Sequence, residues 1–260
     1  MGGTAGGPPG GYAVVAMPKD YFADDPHSRH ERMLAGDLRL VLTGDIAAGP
    51  QPAEVLDLLP TLGERVVWIG GNAGRELLEY RSGQRADIPA PSPPGPQTGC
   101  VPNTWNTSAG CRAVLSPPVR GMGEVLFCHA TPRDDEEVVL VDSRLDRWEE
   151  GVRRARPGVA DGGVRAYAHA VRAAGHGCLV VDPGSVGTPY GRSGAHRALL
   201  GPGVELRTTG FDIEQAIARI TRESGYPEAA EWADSFLHAR ASDAGALETF
   251  GPRDGRAPAR

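Results

Sequence analysis

The sequence predicts an α/β domain, because one pattern is written into it three times. Residues 40–42 (LVL) form a short apolar run of the kind buried on both faces of a sheet, and the run stops at Thr43-Gly44-Asp45. Residues 66–69 (VVWI) stop at Gly70-Gly71-Asn72, and residues 125–127 (VLF) stop at Cys128-His129. Three expected strands therefore end on an aspartate, an asparagine and a histidine. The carboxyl ends of strands are where open α/β sheets place their ligands.

The remaining elements follow in chain order. Residues 1–11 are rich in Gly and Pro and read as a disordered tail. YAVVAM, residues 12–17, is a first strand closed by Pro18, and a short helix is expected over 30–38. After Asp45, Gly49-Pro50 turns the chain, and Pro52 suits the first turn of a helix over 52–59 with Val55, Leu56, Leu58 and Leu59 on its buried face. Strand 66–69 leads into a helix over 75–80. Residues 82–119 carry eight prolines between Pro89 and Pro118 and little periodicity, so an irregular excursion is expected there.

Order returns with a strand over 124–128. Acidic 134–137 precedes an apolar run at 138–141, and 144–154 reads as a charged helix. Residues 164–174 fit neither period, whereas 178–181 is a clean strand running into the turn Asp182-Pro183-Gly184-Ser185-Val186-Gly187. Residues 197–200 and 204–208 pair as a hairpin about Gly201-Pro202-Gly203. Asp212 with Gln215 opens a helix whose apolar face is Ile213, Ala216, Ile217 and Ile220. A second helix spans 228–241 around Trp232, Phe236 and Leu237, and residues 251–260 read as a tail. Residues 12–250 thus form one domain.

Composition narrows the function. A net charge of −6 and scattered arginines argue against a nucleic-acid-binding surface. No apolar run is long enough for a membrane span, and the N-terminus lacks the basic and apolar regions of a secretory signal, so a cytoplasmic location is expected. The four cysteines form no C-x-x-C pair. Cys100 and Cys111 are able to bridge, but in a cytosolic chain they read as reduced thiols. Oligomeric state is left open.

The three strand-end residues have a joint chemistry. Asp45 is able to bridge divalent cations, Asn72 offers a carbonyl oxygen and His129 an imidazole nitrogen. Mixed oxygen and nitrogen ligation suits Mn, Fe or Zn better than Ca or Mg. A two-metal site of that kind would hold a phosphate ester, acidify a bound water and neutralise a leaving oxygen. Each residue also has an ordinary structural reading. Gly-Asp after a strand is a common turn, Asn72 stands where a helix N-cap would precede Arg75, and His129 fits a hydrogen-bonded core histidine. The Pro183–Gly187 stretch nearly matches a G-x-S-x-G nucleophile elbow but begins with proline, and Gly121-Met122-Gly123 lacks the third glycine of a dinucleotide fingerprint.

GDIAAGPQPAEVLDLL, VVWIGGNAGRELLE, GEVLFCHATPRDDEE and VVDPGSVGTPYGRSGAHRALLGPGVELR are similar, block by block and in order, to the calcineurin-like metallophosphoesterase family. FDIEQAIARITRESGYPEAAEWA resembles the C-terminal helices of its small bacterial members. The resemblance implies a four-layer α/β/β/α sandwich, a dinuclear metal site and hydrolysis of phosphomonoesters or phosphodiesters. It matches Asp45 to the metal-bridging aspartate of the G-D motif, Asn72 to the ligand of the G-N motif, and His129 to the histidine ligand after a strand.

The chain also departs from the family. Where the family opens with D-x-H, this chain has Met17 and Lys19. The G-N-H-D motif is Gly71-Asn72-Ala73-Gly74, without the histidine that protonates the leaving group or its aspartate partner. In place of G-H-T-H stand only Ala168-His169-Ala170 or, closer to the next strand, His176; Ala166-Tyr167 suits a strand end, which makes His169 the better fourth candidate ligand. Lys19 beside Asp45 opposes a cation by about 4 kcal/mol at 4 Å and an effective dielectric of 20, or stands in for one as a fixed charge. Lys19 and Arg75 are the candidate phosphate-binding cations. Two expectations result: a phosphoesterase of weakened activity with one divalent ion (Mn, Fe or Zn) rather than two, acting on a phosphorylated small molecule, or an inactive relative that binds a phosphorylated ligand or a protein partner.

Overall fold

The computed structural model describes residues 12–15, 39–46, 48–86, 111–112, 114–152, 159–163, 170–174 and 178–255, with the strands at 12–15, 111–112, 159–163 and 170–174 described through their backbone. Its strands are β1 Tyr12–Val15, β2 Arg39–Leu42, β3 Val66–Ile69, β4 Cys111–Arg112, β5 Val114–Leu115, β6 Pro118–Val119, β7 Gly123–His129, β8 Val159–Gly163, β9 Ala170–Ala174, β10 Cys178–Asp182, β11 Ala195–Leu200 and β12 Val204–Thr209. Its α-helices are α1 Pro52–Leu58, α2 Asn72–Arg81, α3 Leu145–Val152, α4 Ile213–Glu223, α5 Ala229–Leu237 and α6 Asp243–Phe250.

The strands make two six-stranded mixed sheets. The first runs β12-β11-β1-β2-β3-β4, parallel from β1 to β4 and antiparallel through β11 and β12. The second runs β5-β7-β8-β10-β9, with β6 also on β7; β7, β8 and β10 are parallel and the rest antiparallel.

Alternation along β2 shows where the core sits. Val41 packs with Ile69 of the first sheet and with Val125, Phe127 and Val181 of the second. Leu40 and Leu42, on the opposite face, pack with Ile46 and with Val55 of α1. One face of the first sheet therefore meets the second sheet and the other meets a helix. Phe127 and Val125 are fully buried between the sheets, and truncating such a phenylalanine to alanine costs about 3–5 kcal/mol. The C-terminal helices form their own cluster through Ala216, Ile220, Trp232, Ala233 and Leu237. It is tied to the turn before α1 by Ser224 Oγ donating to Pro50 O at 2.5 Å.

Several elements differ from expectation. Helix α2 begins three residues before Arg75, because Gly71 rather than Asn72 is its N-cap. The excursion over 82–119 contains β4, β5 and β6, which extend both sheets; its residues 87–110 lie outside the described ones. Residues 164–174, which fitted neither period, end in β9, and β8 (VADGG) has no apolar signature. The run at 138–141 buries Val138, Val139 and Leu140 in irregular chain. The helix expected over 228–241 stops at Leu237, and a further helix, α6, follows. Gly251–Asp254, expected as tail, is a 3-10 turn with Asp254 buried. The tail over 1–11, the helix over 30–38 and Cys100 lie outside the described residues. Among the described residues no helix is long and apolar enough to cross a membrane.

Candidate functional site

Strands β2 and β3 are parallel neighbours, with Leu42 opposite Trp68, so both release the chain at the same edge of the first sheet. Strand β7 ends at the corresponding edge of the second sheet, and its last side chain crosses to the first: His129 Nδ1 lies 2.7 Å from Thr43 O. A carbonyl oxygen only accepts, so the ring proton is on Nδ1. Nε2 then faces Asn72 Oδ1 at 3.2 Å and Asp45 Oδ1 at 3.7 Å. The structure thus brings Asp45, Asn72 and His129 into one cradle, and buries all three.

The backbone explains the glycines. Asp45 (φ 52°) and Ala130 (φ 56°), each beside a strand end, are in the left-handed region, a local strain of the kind that clusters at functional sites. A Cβ on Gly44 (φ 108°) would lie 2.4 Å from His129 Nδ1, and one on Gly71 would lie 2.6 Å from both the amide nitrogen and Oδ1 of Asp45. The two strand ends approach this closely only because neither glycine carries a side chain. Asp45 also satisfies the start of α2, where Ala73 N–H donates to its Oδ1 at 3.0 Å.

Asn72 is the first residue of α2 rather than its cap. Its Nδ2 donates to Glu76 Oε1 at 3.3 Å, which leaves Oδ1 turned to His129. Glu76, one helical turn on, is itself buried. Glu76 and the Thr43 carbonyl were missed by residue-type reasoning, although the i,i+4 spacing from Asn72 would have shown the first once the helix start was known.

Asp45 and His129 line a cavity of about 610 Å³, with Ile46, Ile69, Leu78 and Val114 as apolar walls and Arg75, Arg133, Asp134 and Asp135 as charged ones. Arg75 spans from α2 to the segment after β7. Its Nε and Nη2 donate to Asp135 at 2.9 and 3.0 Å, Nη2 also to Glu136 at 2.5 Å, and Nη1 to Glu79 at 3.1 Å. Asp135 foremost, with Glu136 and Glu79, raises the Arg75 pKa, and the guanidinium in turn holds the Glu79 carboxyl below its usual range. Arg75 therefore stands at the cavity wall with its charge committed to carboxylates.

Lys19 and His169 lie outside the described residues. Among the described residues, β1 ends at Val15 opposite Leu42, and Ala170 pairs with Asp182 at the carboxyl end of β10.

One of the two cradle distances is the spacing that a divalent cation asks of its donors. Two donors about 2.1 Å from one ion, at angles between octahedral and tetrahedral, are about 3.0–3.4 Å apart. The 3.2 Å between Nε2 and Asn72 Oδ1 falls in that range, and the 3.7 Å to Asp45 Oδ1 lies just beyond it. His129 Nε2 meets two side-chain oxygens there, an arrangement that a cation or a second ring proton would suit. Among the described residues no group of three or more His, Cys, Asp or Glu side chains could hold a metal; this cradle has two, with Asn72 as its third donor.

No family model matches the sequence, and no curated protein matches it. Among solved structures, the chain is similar to a metallophosphoesterase from Sphaerobacter thermophilus at 17% identity and a TM-score of 0.58, over 89% of this chain and 99% of that one. It is also similar to YfcE, a phosphoesterase from E. coli, at 13% identity and a TM-score of 0.42, over 73% of this chain and 87% of that one. The first likeness shows that the chain shares the fold of that metallophosphoesterase.

Proposed function

With that fold as premise, we propose that the protein is a metal-dependent phosphoesterase of weakened activity, hydrolysing a phosphomonoester or phosphodiester. The observation that carries the reading is the convergence of Asp45 Oδ1, Asn72 Oδ1 and His129 Nε2 at the edge of a cavity large enough for a small molecule. The two facing sheets, with α1 against the outer side of the first, also suit a four-layer α/β/β/α sandwich.

Asp45, Asn72 and His129 hold one divalent ion (Mn, Fe or Zn), and His169 completes the set. Bound there, such an ion supplies Lewis-acid polarisation of a phosphate oxygen and an acidified water. The chain's own residues do the positioning. Thr43 fixes the His129 tautomer, the α2 amide of Ala73 fixes the Asp45 carboxylate, and the apolar walls keep water from the leaving group. Lys19 is the candidate phosphate-binding lysine. Arg75 binds the phosphate from the cavity wall on release from Asp135.

One observation favours the second reading, an inactive relative that binds a phosphorylated ligand or a protein partner. Ala73 and Gly74 fill the first turn of α2, where the family pattern places its proton donor and that donor's partner. The test is turnover of an aryl phosphodiester by protein loaded with Mn(II). Turnover that depends on Mn(II) and is lost in Asp45→Asn supports hydrolysis. Absent turnover with retained Mn(II) binding selects the second reading.

A further inference from the structure

Asn72 is an ambiguous ligand: the two ends of its amide have nearly the same shape, and only one of them binds a cation. If the amide turned over, its N–H would donate to the His129 Nε2 lone pair. That hydrogen bond would occupy two of the three donor positions at once. Something has to exclude that arrangement. The group placed to do so is Glu76, buried one turn along α2, with Oε1 3.3 Å from Asn72 Nδ2. A carboxyl oxygen with a lone pair accepts, so Glu76 Oε1 takes the N–H end and leaves the amide oxygen for the cradle. No other hydrogen bond or ion pair engages the Glu76 carboxylate among the described residues.

We propose that Glu76 is the positioning residue of the cradle: it holds the Asn72 amide with its oxygen towards the cation and blocks the Asn72–His129 hydrogen bond that would close the site. The proposal rests on the reading that a divalent ion is held by Asp45, Asn72 and His129. Outer partners that orient a ligand typically cost 10–100-fold in metal affinity when removed.

The test is Mn(II) titration of the full chain as wild type, Glu76→Ala, Asn72→Asp and the double variant, with circular dichroism to confirm folding. Glu76→Ala is expected to weaken Mn(II) binding about 10–100-fold. In the Asn72→Asp background either end of the side chain is an oxygen, so adding Glu76→Ala should change affinity by less than about threefold if orientation is what Glu76 controls. Glu76→Ala binding like wild type would overturn the proposal, as would an equal loss in both backgrounds, which would make Glu76 a charge or a packing residue. If Glu76→Ala does not fold, Glu76→Leu, which fills the space and also lacks an acceptor, replaces it with the same expected loss. In the metal-free protein, the ¹⁵N resonance of His129 Nε2 should move to a hydrogen-bonded position in the variant, and an unmoved resonance would overturn the proposal. That readout needs no metal, so a wild type that fails to bind Mn(II) would remove the metal reading and still leave Glu76 decided.

Discussion

Replacing Gly71 by alanine adds one methyl group at the closest approach of two strand ends. The φ of Gly71 is −123°, which alanine adopts without strain, so the whole effect is steric. The new Cβ would lie 2.6 Å from the Asp45 amide nitrogen and Oδ1 and 3.1 Å from Gly44 Cα, where ordinary contacts begin at 3.4 Å. Either the Asp45 carboxylate or the start of α2 must give way by roughly 0.8 Å. Overpacking of this kind costs about 1–3 kcal/mol, which for a domain of this size lowers Tm by roughly 2–12 °C. Ligand distances tolerate only about ±0.2 Å, so Mn(II) affinity should fall at least about tenfold. The control is Gly83→Ala: its φ of 77° carries backbone strain but a Cβ there meets nothing within 4 Å. It should lose about 1 kcal/mol and keep its metal affinity. Thermal melts followed by circular dichroism, with and without Mn(II), measure both. A Gly71→Ala protein that melts and binds like wild type would show that the close backbone approach does not build the cradle.

Two further predictions concern parts of the fold outside the site. Ser143 Oγ donates to the buried Asp254 Oδ2 at 2.7 Å, fastening the C-terminal turn to the loop before α3. Asp254→Ala should therefore cost about 1–3 kcal/mol in urea unfolding, and a midpoint within error of wild type would refute the anchor. His238 bridges α4 and α5, with Nε2 2.8 Å from Glu214 and Nδ1 2.8 Å from Asp234, and both carboxylates raise its pKa. Its contribution is fully present below the unfolded histidine value of about 6.5 and is lost as pH rises through the folded value. Urea midpoints at several pH values should show wild type losing its advantage over His238→Gln on the alkaline side. An advantage constant across that window would contradict the bridge.

What the sequence made legible is local and periodic. Runs at 40–42, 66–69 and 125–127 are apolar because each lies between layers, and each ends where its ligand-type side chain leaves the sheet, so the fold class and three candidate site residues came from the same pattern. Elements held by distant partners were not legible. The VADGG segment pairs in parallel with both β7 and β10, and pairing on both sides holds a strand that its own side chains do not announce. Asp254 looked like part of a tail because its partner lies 111 residues upstream. The ordinary alternative for Asn72, a helix cap, came from a polar residue standing before Arg75; the cap is Gly71, whose missing side chain is required by Asp45. Glu76 stayed hidden for the same reason, since its role exists only once α2 is known to start at Asn72. Arg75 was chosen for its charge, and charge alone did not reveal Asp135 and Glu136 closing on it from the segment after β7.

The most direct test of the central claim is an anomalous-difference map from crystals grown with Mn(II). The account predicts a peak within bonding distance of Asp45 Oδ1, Asn72 Oδ1 and His129 Nε2 together. Crystals that show the three side chains as described, with no peak between them at saturating Mn(II), would contradict it.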